Sequence, residues 1–274
     1  MWDLEIEDAG CFYADGLLVH NCHHLVGTRY RDTFLGFDSW YRFGLSATIF
    51  LTRKGENETG TIWLKGSCGR VRYQLDPSEL IRLGYLVKPT IEFHRVDEPD
   101  LTGEPWSEEL YATAVTHNRR FNARVIRLAK EAIRDRGYRN VLIPCRRIEH
   151  CDNLFALARH RGLRAAVIIG STPPAARATA IRQFKRGDLD LLIGTVFGEG
   201  VDIPEIECVI NAEGMRSRIA TLQRLRNMTP SEGKAGALMI EFAFVNNKHL
   251  KKHSLERLRE YKRHGAFEIV RVRS

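Results

Sequence analysis

Residues 141–211 read VLIPC RRIEHCDNLFALARH RGLR AAVII GSTP PAARATAIRQFK RGD LDLLIG TVFGEGVDIPE IECVIN. Short apolar runs alternate there with longer amphipathic ones. Val141–Cys145, Ala165–Ile169, Leu189–Gly194 and Ile206–Asn211 are predicted strands, because each is too short for a helix and bounded by turn residues. Ile148–His160 and Pro174–Lys185 are predicted helices, the second with proline near its start, where no amide donor is needed. Strands that alternate with helices in this way imply an α/β fold, a parallel sheet covered by helices on both faces.

The pattern extends outward. Phe121, Val125, Leu128, Ala129, Ala132 and Ile133 recur at three-to-four spacing after Asn118, and Gly137 stops the predicted helix. Upstream, Asp76–Gly84 reads as a short helix and Lys88–Val96 as a strand, followed by an acidic loop over Asp97–Pro105 that is expected to be exposed. Downstream, Ser217–Arg226 is a predicted helix and Ala237–Phe242 a last strand. Lys248–Arg263 is a strongly basic predicted helix. It either packs through Leu255, Leu258 and Tyr261 or offers Lys248, Lys251, Lys252, Arg257, Arg259, Lys262 and Arg263 to phosphates. At the other end, Leu4, Ile6, Phe12 and Leu17-Leu18-Val19 form short apolar runs, and Asp15-Gly16 supplies a hairpin turn between two of them.

The 274 residues are 43% hydrophobic and 28% charged, the balance of a folded chain rather than a disordered one. The net charge of +8 suits a polyanionic partner. No apolar run approaches the ~18 residues of a spanning helix, and no signal peptide opens the chain, so no membrane partner and a cytoplasmic location are expected. The six cysteines, Cys11, Cys22, Cys68, Cys145, Cys151 and Cys208, form no C-x-x-C pair. Cys22-His23-His24 lacks a second ligand pair nearby, so no metal site is expected in the chain.

In open parallel sheets, ligands bind at the carboxyl ends of strands. After Gly194 comes Thr195-Val196-Phe197-Gly198-Glu199-Gly200-Val201-Asp202-Ile203-Pro204. Its glycines let backbone approach a ligand, Thr195 can donate to a phosphate, and Asp202 can bond a ribose hydroxyl or an arginine. Taken alone, it reads better as an ordinary loop with turn glycines.

Several segments in order resemble the motifs of superfamily 2 helicases of the D-E-x-H type, phage-type members included. Ser46-Ala47-Thr48 resembles motif III, which couples the nucleotide site to the nucleic-acid track. Val141–Leu154, with Arg146, resembles motif IV. Gly170–Gly187, with Arg177, Phe184 and Gly187, resembles the arginine-bearing helix before motif V. Gly194–Pro204 resembles motif V, and Leu222-Gln223-Arg224-Leu225-Arg226 resembles motif VI. The resemblance covers about Cys22 to Phe244. It implies a RecA-like fold, ATP and Mg²⁺ as cofactors, and a nucleic-acid partner, DNA first with RNA as the alternative. Thr195, Arg146 and Arg177 would contact nucleic acid. Gly200, Asp202, Arg224 and Arg226 would face the nucleotide, with Gln223 and His23 completing the helicase catalytic set. The family's motif VI has a glycine between its arginines that is missing here, so Arg226 is preferred as the arginine finger and Arg224 is the alternative. Such a finger stabilises phosphoryl charge only when two domains close.

A D-E-x-H helicase needs Asp-Glu before Cys22-His23, yet Val19-His20-Asn21 stands there. Residues Trp2–Asn21 resemble the carboxy-terminal end of an intein, which ends in His-Asn followed by cysteine. That resemblance makes Cys22 the accepting thiol, Asn21 the residue that cyclises, His20 its assistant and Asp8 a possible second assistant. Gly10 stands where such inteins often have histidine. The expected organisation is an intein segment at 1–21, the end of a first RecA-like domain at 22–87, a second RecA-like domain at 88–247, and a basic tail at 248–274. The Walker A pattern G-x-x-x-x-G-K-[ST] does not occur, so an amino-terminal helicase and intein half is an expected partner. The chain alone is then expected to lack ATPase activity. The competing readings are a non-catalytic nucleic-acid-binding fragment and an intein relic with an incidental flank.

Overall fold

A computed structural model describes residues 11–14, 17–20, 36, 62–63, 65–67, 69–73, 77–197, 203, 205–215, 236–263 and 267–272. The chain divides into two compact units, Met1–Gln74 and Leu75–Ser274. In the first unit, β1 (Cys11–Ala14) and β2 (Leu17–His20) pair antiparallel with Ala14 opposite Leu17. Asp15 and Gly16 are the two residues between them, as the hairpin reading expected.

The second unit is a parallel sheet of seven strands among the described residues, in the order β5-β6-β4-β7-β8-β3-β9. The strands are β3 (Pro89–Val96), β4 (Val141–Pro144), β5 (Ala165–Ile168), β6 (Leu191–Gly194), β7 (Cys208–Ile210), β8 (Ala237–Phe244) and β9 (Glu268–Val272). The helices are α1 (Pro77–Arg82), α2 (Glu108–Tyr111), α3 (Arg119–Arg134), α4 (Ile148–His160), α5 (Pro174–Arg186) and α6 (Lys248–Arg263), with a π turn over Ala112–Thr116 between α2 and α3.

Alternation along the strands builds two cores. Val141 and Ile143 of β4, Leu191 and Ile193 of β6, and Leu238, Ile240, Phe242 and Phe244 of β8 face one side. There they meet Phe121, Val125 and Ala129 of α3 and Cys151 and Leu154 of α4. Leu142, Leu192, Val209 and Met239 face the other side, with Phe184 of α5 and Tyr261 of α6. Period-2 side chains on strands buried on both faces require this split. Each such aliphatic side chain contributes about 1.5–3 kcal/mol by leaving water.

Helix ends follow local chemistry. Asn118 caps α3, accepting from Phe121 N at 2.9 Å while its amide donates to the carbonyls of Glu98 and Ala114. Pro174 opens α5 and Gly187, at φ +80°, closes it. The helix predicted over Ser217–Arg226 lies outside the described residues.

Two expectations are corrected. The strands at 165–169, 189–194 and 206–211 are shorter than read. β6 begins only after Asp190, whose carboxylate is gripped by Arg164, and Ile206 belongs to a turn closed on Ile203. The acidic loop over Asp97–Pro105 is exposed over most of its length, as expected, and Asn246 and Asn247 tie it down by donating to the carbonyls of Pro99, Leu101 and Glu104. The basic tail is built into the unit: α6 packs on the sheet, and β9, which periodicity missed, pairs with β3. Tyr261 and Leu258 supply that packing, whereas Leu255 is exposed and Arg257 is 2% exposed. Arg257 is therefore withdrawn from any phosphate.

Arg257 instead answers Glu241, a carboxylate buried on β8. Its Nε donates to Glu241 Oε2 at 2.8 Å, one terminal nitrogen donates to the carbonyls of Gly214 and Met215, and the other donates to the carbonyl of Phe242 at 2.7 Å. The Tyr261 hydroxyl and the Asn211 amide also donate to Glu241. A second buried group, His150, sits in the first turn of α4. Asn122 donates its amide to Thr116 O, which turns its oxygen toward His150 and leaves His150 Nε2 as the donor at 2.9 Å.

Two predictions follow from these groups. Arg257→Met leaves Glu241 buried without its cation and lowers unfolding free energy by about 3–5 kcal/mol in urea titrations, while Arg257→Leu with Glu241→Leu recovers most of it. A loss below about 1 kcal/mol in the single variant would show that the pair is not a structural clamp. Burial, with a smaller contribution from His117, holds the His150 imidazole down at about 4 against an ordinary 6.5. Above pH 6.5 the imidazole is neutral in both states. Between 6.5 and about 4 only the unfolded chain takes the proton, so stability falls with falling pH by roughly 3 kcal/mol. His150→Gln flattens stability across that window, and an unchanged slope refutes the assignment.

Candidate nucleic-acid interface

All seven strands run in one direction, so their carboxyl ends form one rim. The winding reverses between β4 and β7. The connection leaving β4 runs toward β5 and β6, whereas β7 lies on the other side of β4 beside β8. Such a reversal opens a crevice between the two strand ends.

The rim gathers the three described candidates. Pro144 of β4 pairs with Gly194 of β6, and Cys145 N continues the ladder to Gly194 O at 2.8 Å. The loops carrying Arg146 and Thr195 therefore leave the sheet side by side. Thr195 N reaches across to Ile168 O of β5 at 3.2 Å. Arg177 lies in the first turn of α5, the helix after β5, and its Nε is buried without a hydrogen-bond partner. Gly194 is obligatory here: a Cβ would stand 2.0 Å from Ile168 O and 2.7 Å from the Phe197 ring.

The crevice is bridged by Tyr111, which no sequence signal marked. Its hydroxyl donates to Glu213 O, just beyond β7, at 2.8 Å. Its ring lies under both arginines that follow β4, 4.9 Å from the Arg146 guanidinium and 5.3 Å from that of Arg147. Cation–π contacts of this kind fix a guanidinium while leaving its donors unspent. Those donors go to one residue. Arg146 forms two bonds with the Glu108 carboxylate, at 2.9 and 3.2 Å, and Arg147 bonds both that carboxylate and the Glu108 carbonyl. The two arginines hold the Glu108 carboxyl below the usual range. Burial pushes the Tyr111 hydroxyl far above its ordinary value, so it stays protonated as the donor to Glu213 O. Arg147 was legible only as the neighbour of Arg146. Glu108 and Tyr111 both come from α2, a helix of four residues too short to show periodicity.

His20 ends β2 in the first unit, where only its backbone is described. Asp8, Asn21, Cys22, His23, Ser46, Ala47, Thr48, Gly200, Asp202, Gln223, Arg224 and Arg226 lie outside the described residues. Among the described residues no group of three His, Cys, Asp or Glu side chains gathers. No described helix is long and apolar enough to cross a membrane.

Residues 124–226 match the helicase conserved C-terminal domain. Over 252 residues the chain is 24% identical to putative helicase 22 of a Sulfolobus islandicus filamentous virus, covering 87% of this chain and 44% of that protein. Over 227 residues it is 28% identical to a putative DNA 3'-5' helicase Rad25 of Haloarcula marismortui, covering 79% of this chain and 34% of that protein. The chain thus spans less than half the length of these relatives. The structure of S. cerevisiae Dbp5 bound to RNA and ADP BeF3 shares the fold at a TM-score of 0.61 and 15% identity, covering 92% of this chain and 57% of that one. The parallel sheet is RecA-like, and Arg146, Arg177 and Thr195 lie within the segment that matches the helicase conserved C-terminal domain.

Proposed function

We propose that this chain is the carboxy-terminal part of an ATP-dependent superfamily 2 DNA helicase or translocase of the D-E-x-H type, interrupted by an intein. The observation that carries the helicase half is the rim: Arg146, Thr195 and Arg177 arrive on three neighbouring strand connections within the helicase C-terminal segment. Cationic and hydroxyl groups on one edge suit a phosphate backbone. DNA is preferred because the haloarchaeal relative is named as a DNA helicase. The RNA bound by Dbp5 keeps RNA as the alternative.

In this reading ATP and Mg²⁺ are held mainly by the amino-terminal half. This chain would supply Gly200 and Asp202 near the nucleotide, and Arg226, or Arg224, as the finger that answers phosphoryl charge on domain closure. Ser46, Ala47 and Thr48 would couple that site to the nucleic acid. The β1–β2 hairpin supports the intein half, because its second strand ends at His20, directly before Asn21 and Cys22. Asn21 would cyclise with help from His20, releasing the amino group of Cys22, whose thiol would already have accepted the upstream chain. The second reading is a nucleic-acid-binding fragment without catalysis, supported by the same rim of Arg146, Thr195 and Arg177, which needs no nucleotide to meet a phosphate backbone.

The purified chain, with or without DNA, is expected to hydrolyse ATP at the background rate; turnover above background overturns the reading that the nucleotide grip lies elsewhere. Intact mass spectrometry in the native host is expected to find a product in which Asp-Glu joins directly to Cys22. A product that still carries residues 2–21 ahead of Cys22 refutes splicing, and Asn21→Ala is expected to produce that same product.

A further inference from the structure

We propose that Glu108 is a built-in surrogate for a nucleic-acid phosphate, occupying a two-arginine subsite formed by Arg146 and Arg147 over Tyr111. The inference rests on the nucleic-acid reading above and adds an occupant and a competitor to it.

The argument begins with shape. A carboxylate offers two oxygens to the guanidinium forks; a phosphodiester offers two non-bridging oxygens at similar spacing. Arg146 engages both Glu108 oxygens, and Arg147 shares one of them. Two arginines on one carboxylate leave a net positive charge at the rim. Tyr111 holds both guanidinium groups against its ring and is itself tied to the loop after β7. The cations are thus fixed by contacts that survive if Glu108 leaves.

Glu108 is placed to leave. It opens α2, a helix of four residues, and its side chain is 57% exposed. Arg146 and Arg147 are 37% and 28% exposed, reachable from solvent without unfolding. An exposed ion pair contributes little to stability. Swinging the carboxylate aside exchanges one anion for another on a preformed pair of cations. The free protein therefore keeps the donors of its rim arginines occupied and half of their charge offset, and a backbone phosphate must displace Glu108 to use them.

The test is fluorescence anisotropy of the full chain with a labelled single-stranded oligodeoxynucleotide at two salt concentrations. Glu108→Gln is expected to tighten binding about tenfold at low salt and to steepen the salt dependence, since two cations are released to phosphate. Arg146→Gln with Arg147→Gln, added to Glu108→Gln, is expected to abolish that gain. Glu149→Gln is the control for charge alone: it removes one exposed anion from the first turn of α4, where it pairs with His117 rather than with either arginine. An equal gain from Glu149→Gln overturns the proposal. Equal binding by wild type and Glu108→Gln overturns it while leaving the nucleic-acid reading intact. No binding by either protein overturns both. Inorganic pyrophosphate is titrated in parallel as the free-phosphate source; a Glu108→Gln gain confined to pyrophosphate overturns the assignment to a nucleic-acid backbone. Circular dichroism of each variant confirms that the fold persists.

Discussion

The buried pair of Arg257 and Glu241 governs how the rim of this sheet is held. Glu241 occupies an inward position on β8, between Met239 and Ala243, where alternation calls for an apolar residue. A lone carboxylate there would be expensive, because removing a charge from water is costly unless it is paired and hydrogen-bonded. Arg257, Tyr261 and Asn211 all donate to it, and they come from α6 and from the end of β7. The same guanidinium then donates to the carbonyls of Gly214 and Met215. One ion pair therefore joins a strand, a helix and the loop at the reversal of the sheet.

That loop matters because Tyr111 uses it as an anchor. Glu213 O fixes the tyrosine hydroxyl, and the ring fixes Arg146 and Arg147 above it. The line of support runs from the core to the surface: Glu241, Arg257, the Gly214–Met215 carbonyls, Glu213, Tyr111, and then the arginines. Gly214, at φ +69° and packed against Phe244 and Val115, lets the loop turn close enough to the core for these bonds. A rim whose cations are preset in this way binds a polyanion at lower cost in side-chain entropy than loose lysines would.

The apolar pattern was enough to find α3, α4, α5 and α6, because each shows three-to-four spacing or sits between clear breakers. It also found strands β4 to β8 with small errors at their ends. Strand ends depend on which backbone groups find partners, as at Asp190 and Ile206, and periodicity does not carry that information. β9 escaped because its alternation is mostly exposed; it is an edge strand, held by pairing with β3 rather than by burial. Arg257 was misread with its basic neighbours because composition does not reveal that one cation of a charged helix points inward.

The sequence alone determined the α/β class and the positions of most elements, while Arg146, Arg177 and Thr195 became candidates through a family resemblance. The first two properties are local: each follows from the spacing and type of residues within a few turns of chain. Only the tertiary structure decided that those three residues share one rim, that Glu108 and Tyr111 belong to it, and that Arg257 is a buried clamp. Those facts join residues 38 positions apart for Arg146 and Glu108 and 102 for Tyr111 and Glu213. Contacts across such separations are set by the order in which strands assemble, which a linear pattern does not encode.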